Sequence, residues 1–277
     1  MNINIDQVKF LSFLKNRVQI SRYEYKYLRS YLTLFENGEV DFESKMFFNQ
    51  SENGWVLFLF FADEIFANNI IVYGENWHKI KLKEIKQSVD LSKFRTARIT
   101  GNAELIMTLL YSDKVESYSP IKERVFYRTN SVEPFELLNA RIAVPNEEDA
   151  SELSVMMKQY YHEEYNGKND KRISDMNLII AEHIKDNSIL VLKNQNQELI
   201  SFCTIVDPDI GILFTNKRFR NCGYGKMILS HCSKILLSRN EEVFLMTDKM
   251  KIESNSACKR IGFCDFFNYI DIVIKNK

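Results

Sequence analysis

The sequence predicts an α/β (α+β) protein of two domains, residues 1–138 and 139–277. Three observations lead there. An apolar run at 210–215 passes through Arg220-Asn221-Cys222-Gly223-Tyr224-Gly225 into Met227, Ile228, Cys232, Ile235 and Leu236 at helical spacing, which reads as strand, turn and helix. A chain of 277 residues exceeds the usual size of a single core. Between the halves, the polar stretch 129–134, closed by Pro134, reads as a linker.

In the first half, helical patterns at 7–16 and 21–35 precede strands near 45–49, 55–61 and 70–73. The run 55–62 is apolar throughout and too short to cross a bilayer, so it predicts a strand covered on both faces. Thr96-Ala97-Arg98-Ile99-Thr100-Gly101 then leads into a short helix over 102–111, and 124–128 is strand-like. That strand ending in Thr-Gly echoes the later strand–turn–helix, without its second glycine or charged loop.

In the second half, Arg141-Ile142-Ala143-Val144 predicts a first strand. Asn146 caps the next helix, with Asp149 at its third position and Leu153, Met156, Met157 and Tyr160 at helical spacing. Residues 189–192 and 199–206 form a hairpin around Asn194-Gln195-Asn196-Gln197. Residues 243–246 and 269–274 supply the remaining strands, the last expected to close this half's sheet.

Composition limits the partners. Acids and bases balance at 37 each, which points to neither nucleic acid nor an anionic membrane. The five cysteines lie in the second half without a C-x-x-C pair, which suits reduced thiols in a cytoplasm rather than a disulfide framework; no metal is expected. The N-terminal residues lack the cationic and apolar regions of a secretion signal.

The turn at 220–225 carries chemistry. A strand that feeds a glycine turn at a helix N-terminus presents unpaired N–H groups and the positive end of the helix dipole. Glycine lets backbone approach an anion closely, and Arg220 and Lys226 add charge. Ile228 stands where the dinucleotide fingerprint needs its third glycine, and no Gly-Lys-Ser/Thr closes a P-loop. The alternatives at this point are a phosphate cradle and a plain turn.

A second segment, Thr247-Asp248-Lys249-Met250-Lys251-Ile252-Glu253-Ser254-Asn255-Ser256-Ala257-Cys258-Lys259-Arg260-Ile261-Gly262-Phe263, lies downstream. With the Arg-x-x-Gly-x-Gly turn, it resembles the GCN5-related N-acetyltransferase (GNAT) superfamily, in a bacterial subgroup reading Thr-Asp-x-x-Asn-Pro-x-Ser-Asn-x-x-Tyr-x-x-Ile-Gly-Tyr. Thr247, Asp248, Ser254, Asn255, Ile261 and Gly262 match, whereas Lys251 replaces Asn, Cys258 replaces Tyr and Phe263 replaces the final Tyr. The resemblance covers about half of the chain, roughly 139–275.

The resemblance implies a mixed, twisted sheet that splays between its fourth and fifth strands to admit acetyl-CoA. It implies that the backbone of Leu213, Phe214 and Thr215 holds the pantetheine arm. The pyrophosphate would then lie against Arg220, Asn221, Cys222, Gly223, Tyr224, Gly225 and Lys226, with Ser254 and Asn255 nearby. The subgroup often carries a degenerate copy of the fold upstream, so 1–138 is expected to be that copy or an unrelated α/β domain.

Amine acetylation needs a neutral amine, donors for the oxyanion and a proton for the departing thiolate. In the family a Tyr serves the last task; Cys258 occupies its position, as a substitute acid or as small packing under the cofactor. Glu163 and Glu164 are candidate bases, the alternative being helix-end surface charges, and His162 shares their segment. The expected function is acetyl-CoA-dependent N-acyl transfer to a small amine or peptide. A non-catalytic acyl-CoA-binding protein is the alternative, and an unrelated nucleotide-binding protein a third.

Overall fold

Residues 21–49, 53–136, 139–168 and 170–276 are described in the computed structural model. The helix expected over 7–16 lies outside them. The chain divides into two compact units. One takes the described residues up to Phe126 with Asp248–Met250 and Phe267 onward; the other takes Tyr127–Thr247 and Lys251–Phe266.

The first α-helix among the described residues of the first unit is α1 (Lys26–Glu36), whose Leu28, Leu32 and Phe35 are buried at i, i+4 and i+7 spacing. Strands β1 (Glu43–Asn49), β2 (Gly54–Phe61) and β3 (Asn69–Glu75) form an antiparallel meander. Along β2, Val56 and Phe58 join one apolar cluster while Trp55, Leu57 and Leu59 join another, so the strand is covered on both faces as expected. Helix α2 (Leu82–Ser88) leads to β4 (Thr96–Asn102), which runs parallel to β3, and then to α3 (Ala103–Ser112) and β5 (Ser117–Thr129).

The strand expected at 124–128 is longer than its apolar core, since β5 extends back through Pro120 along exposed residues.

The second unit opens with β6 (Ala140–Ala143). Asn146 and Asp149 then form a reciprocal capping box ahead of α4 (Ala150–Glu164). Helix α5 (Ile173–Lys185) follows, and β7 (Ile189–Asn194), β8 (Leu199–Val206) and β9 (Asp209–Thr215) form a second antiparallel meander, with β6 on β7. Next come α6 (Tyr224–Leu237), β10 (Val243–Asp248) parallel to β9, α7 (Ile252–Arg260) and β11 (Cys264–Lys275). Helices α4 and α5 cover one face through Leu153, Met156, Met157, Met176 and Ile180. Helix α6 buries Met227, Ile228, Cys232 and Leu236.

The order from β7 to β11 thus repeats the order from β1 to β5: an antiparallel meander, a helix, a strand parallel to the third, a helix and a final strand. Two features differ from expectation. From Tyr269 to Lys275, β11 pairs antiparallel with β4, so the last strand completes the first unit's sheet; the bidentate Arg98–Asp271 pair (2.9 and 2.7 Å) fixes that register. The stretch read as a linker is tethered: Thr129 Oγ1 donates to Ser131 C=O and lies 3.0 Å from Gly262 C=O, Glu133 N–H donates to Ile261 C=O at 3.2 Å, and Ser230 Oγ donates to Glu133 C=O at 2.7 Å. Backbone groups of the stretch and the Thr129 hydroxyl are thereby tied to later elements, a pattern that composition alone reads as loop.

Candidate functional site

Strands β9 and β10 run parallel but share one register pair, Asp209↔Phe244, among the described residues. Beyond it the two strands part. The β8–β9 ladder shifts register between Cys203 and Ile205, where Thr204 Oγ1 accepts the Ile212 N–H at 2.6 Å. A bulge of this kind bends and twists a strand, which turns β9 away from β10. Gly211 makes room for it, since a Cβ there would stand 2.4 Å from Thr204 Oγ1. Consequently Ile212, Leu213 and Thr215 are half-buried within an otherwise apolar run.

The turn follows directly. Asn216 caps a short 3-10 segment through the Arg218 N–H at 3.2 Å. Asn221 (φ 63°) and Gly223 (φ 87°) then take left-handed conformations, which reverse the chain into α6. Gly223 is the N-cap of α6 and supplies no side-chain cap, and the first helical bond runs from Met227 N–H to Gly223 C=O. The N–H groups of Tyr224, Gly225 and Lys226 therefore face off the end of a 14-residue helix. Gly225 lies under the strand, where a Cβ would be 3.3 Å from Thr215 Oγ1.

The charges around this turn are organised. Arg220 Nε donates to Thr215 C=O at 2.9 Å, its Nη2 reaches both oxygens of Glu163 at 3.1 and 2.9 Å, and its guanidinium lies 5.2 Å from the Phe214 ring centroid. Lys217 stands 3.5 Å from the same Glu163, and Arg218 pairs with Glu198 at 2.8 Å. Lys226 lies 4.3 Å over the Phe135 ring. Tyr224 OH accepts from Asn139 at 2.9 Å. Cys222 is exposed, with Sγ 3.4 Å from Arg220 C=O.

Across the gap, Asn255 organises the end of β10. Its Oδ1 accepts from Thr247 Oγ1 and from Tyr127 OH (2.9 Å), while its Nδ2 donates to Lys251 C=O at 2.8 Å. Ser254 is exposed on the first turn of α7. Cys258, one turn on, is 3% exposed, and burial pushes its thiol up to about 12. A thiol in that environment stays protonated and is a poor nucleophile. Burial likewise pushes the Tyr127 phenol up to about 12, with the nearby Cys258 and Asp265 adding to it.

Leu213, Phe214, Thr215 and residues 220–226 thus meet at the C-terminal end of β9, and Ser254 and Asn255 stand at that of β10. In open α/β sheets the crevice beyond parallel strand ends is where ligands bind. Glu163 joins this group, tied to Arg220 and Lys217. His162 points elsewhere, its Nδ1 2.9 and 3.0 Å from the two oxygens of Asp170. Sequence reasoning missed Tyr127, Thr204 and Asp170, each of which meets its partner through the fold. The clearest available signal was the Asn166-Gly167 pair, whose left-handed residues fold Asp170 back onto His162.

The whole chain aligns with an acetyltransferase of the GNAT family from Colwellia psychrerythraea over 100% of both chains, at 11% identity and a TM-score of 0.58. The chain has the GNAT fold. A GCN5-related N-acetyltransferase from Sphaerobacter thermophilus matches over 79% of each chain, at 11% identity and a TM-score of 0.52. No family model and no curated protein matches in sequence. Among the described residues no helix is long and apolar enough to cross a membrane, and no cluster of three His, Cys, Asp or Glu side chains is set to hold a metal.

Proposed function

We propose that the second unit is an acyl-CoA site and that the chain transfers an acetyl group from acetyl-CoA to an amine of a small molecule or peptide. The observation that carries this is the coincidence of two openings: β9 leaves β10 after one register pair, and the uncapped α6 N-terminus stands at the same strand end. The donor set suits a pyrophosphate, with three helix-end N–H groups behind two left-handed residues and with Arg220 and Lys226 alongside. Leu213, Phe214 and Thr215 would hold the pantetheine arm, and Ser254 and Asn255 would border it. Bound there, the cosubstrate supplies an activated thioester.

The protein's own part is positioning. The acceptor amine, held against the gap, attacks the carbonyl carbon as the carbon–sulfur bond breaks, and backbone N–H groups of 213–215 would stabilise the developing oxyanion. The ammonium proton leaves to solvent, directly or through Glu164, and the departing thiolate takes its proton from solvent. Cys258 serves as packing beneath the site, because its buried thiol neither ionises nor donates readily. Residues from 139 onward carry the chemistry, and the first unit is a copy of the fold that has lost its site. The balanced charge and the five free thiols favour a cytoplasmic setting without nucleic acid, membrane or metal.

Cys258 in place of a phenol favours a second reading, an acyl-CoA-binding protein without turnover. Calorimetry with CoA, then thiol release from acetyl-CoA with a panel of amines, separates the two. The enzyme binds and releases, and the binding protein binds only. Absence of CoA binding sinks both.

A further inference from the structure

Glu163 is the side chain whose surroundings its own helix does not explain. It lies in the last turn of α4, where the helix dipole disfavours a carboxylate. Its compensation comes from 57 residues further on: both carboxylate oxygens meet Nη2 of Arg220, and Lys217 approaches one of them at 3.5 Å. The carboxylate is one-quarter exposed. Taken alone, such a pair would add little to stability.

What distinguishes this pair is how completely it fixes Arg220. The guanidinium is held from three directions: Nε by the carbonyl of Thr215, Nη2 by Glu163, and its face by the Phe214 ring. Phe214 is in turn packed edge-on by Tyr160, one turn before Glu163 on the same helix. Among the described residues Nη1 makes no hydrogen bond or ion pair. That leaves one nitrogen of the fork with its donors uncommitted. An arginine held in one rotamer loses less entropy on gaining a ligand than one free in solvent.

Resting on the acyl-CoA reading, we propose that Glu163 is a positioning residue of this site: it sets the Arg220 guanidinium for the pyrophosphate and ties the end of α4 to the phosphate turn. Its oxygens are engaged by two cations, an arrangement that suits a strut better than a group that must collect a proton from an amine. The segment after α4 is thereby mechanically linked to the cofactor turn.

The test compares wild type, E163A, E163Q, R220A and the E163A/R220A double variant by calorimetry with CoA and with pantetheine, which lacks the pyrophosphate. E163A should weaken CoA binding about tenfold, with E163Q between it and wild type. Pantetheine binding should not change, which a general loss of structure would not allow. In the double-mutant cycle E163A should cost little once Arg220 is gone. Any loss of turnover should fall on the KM for CoA rather than on kcat. Unchanged CoA affinity in E163A, additive losses in the cycle, or a kcat drop of about a hundredfold with CoA affinity intact would each overturn the strut. Failure of the wild type to bind CoA would instead remove the acyl-CoA reading itself.

Discussion

In the first unit β3 and β4 run parallel and pair at four register positions, from Asn69↔Arg98 to Val72↔Gly101. In the second unit the equivalent strands, β9 and β10, pair at one. The closed pair is sealed at its far end. Gly101 sits at φ 135°, and a Cβ there would stand 1.9 Å from the Val72 carbonyl oxygen. The helices after the third strands differ as well, since α2 has 7 residues whereas α6 has 14 and begins at a glycine turn. After β4, Asn102 caps α3 through the Leu105 N–H at 3.1 Å, whereas Lys251 makes no side-chain cap on α7. One unit spends its backbone groups on itself and the other leaves them available. The same order of strands and helices thus gives a closed parallel pair in one unit and an open one in the other.

The largest expected effect is on the closed side. Gly101→Val puts a side chain into the Val72 carbonyl at a backbone angle only glycine adopts easily. It should cost at least about 4 kcal/mol or leave no folded protein, read by thermal unfolding. A variant melting at the wild-type temperature would mean that β3 and β4 separate freely, and the contrast with β9 and β10 would be gone.

On the open side, Gly223→Val forces a β-branched residue to φ near 87°, which should cost about 1–3 kcal/mol of stability. Its larger consequence should be loss of CoA binding by more than about tenfold, because the left-handed N-cap that sets the helix-end N–H groups is disturbed. Retained affinity would return the turn to a plain chain reversal.

The smallest effect separates thiols. Cys222 and Cys264 are exposed and should react quickly with a thiol reagent, while Cys203, Cys232 and Cys258 react only on unfolding. CoA should slow Cys222 alone. The raised Cys258 pKa means the folded state resists its ionisation. Its contribution to stability is full below a free thiol's ~8.5 and is lost as pH rises toward 12. An unfolding free energy that does not fall above pH ~8.5 would contradict that burial.

What the sequence discloses here is what neighbouring residues decide. The capping box of Asn146 and Asp149, the hairpin around residues 194–197 and the glycine turn before α6 are each written within about ten positions. Helix α5 is harder to read, because Arg172 at its N-cap offers no side-chain bond and Leu178 is left exposed on a mostly apolar helix. Arg220–Glu163, Tyr127–Asn255 and Arg98–Asp271 span 57, 128 and 173 positions. No local propensity encodes such meetings, and a carboxylate at a helix end looks the same whether it faces water or an arginine.

The pairing of β11 with β4 has a further consequence, in the timing of synthesis. A chain emerging from the ribosome has all of residues 21–126 available long before residue 269 appears. Until then the edge of β4 that will receive β11 stands open, and Arg98 lacks its carboxylate. Closing a loop of that length is slow, and an unpaired strand edge is the surface on which nascent chains associate wrongly. The first unit's sheet is completed only once residues 269–275 are present, so its folding yield should depend on them.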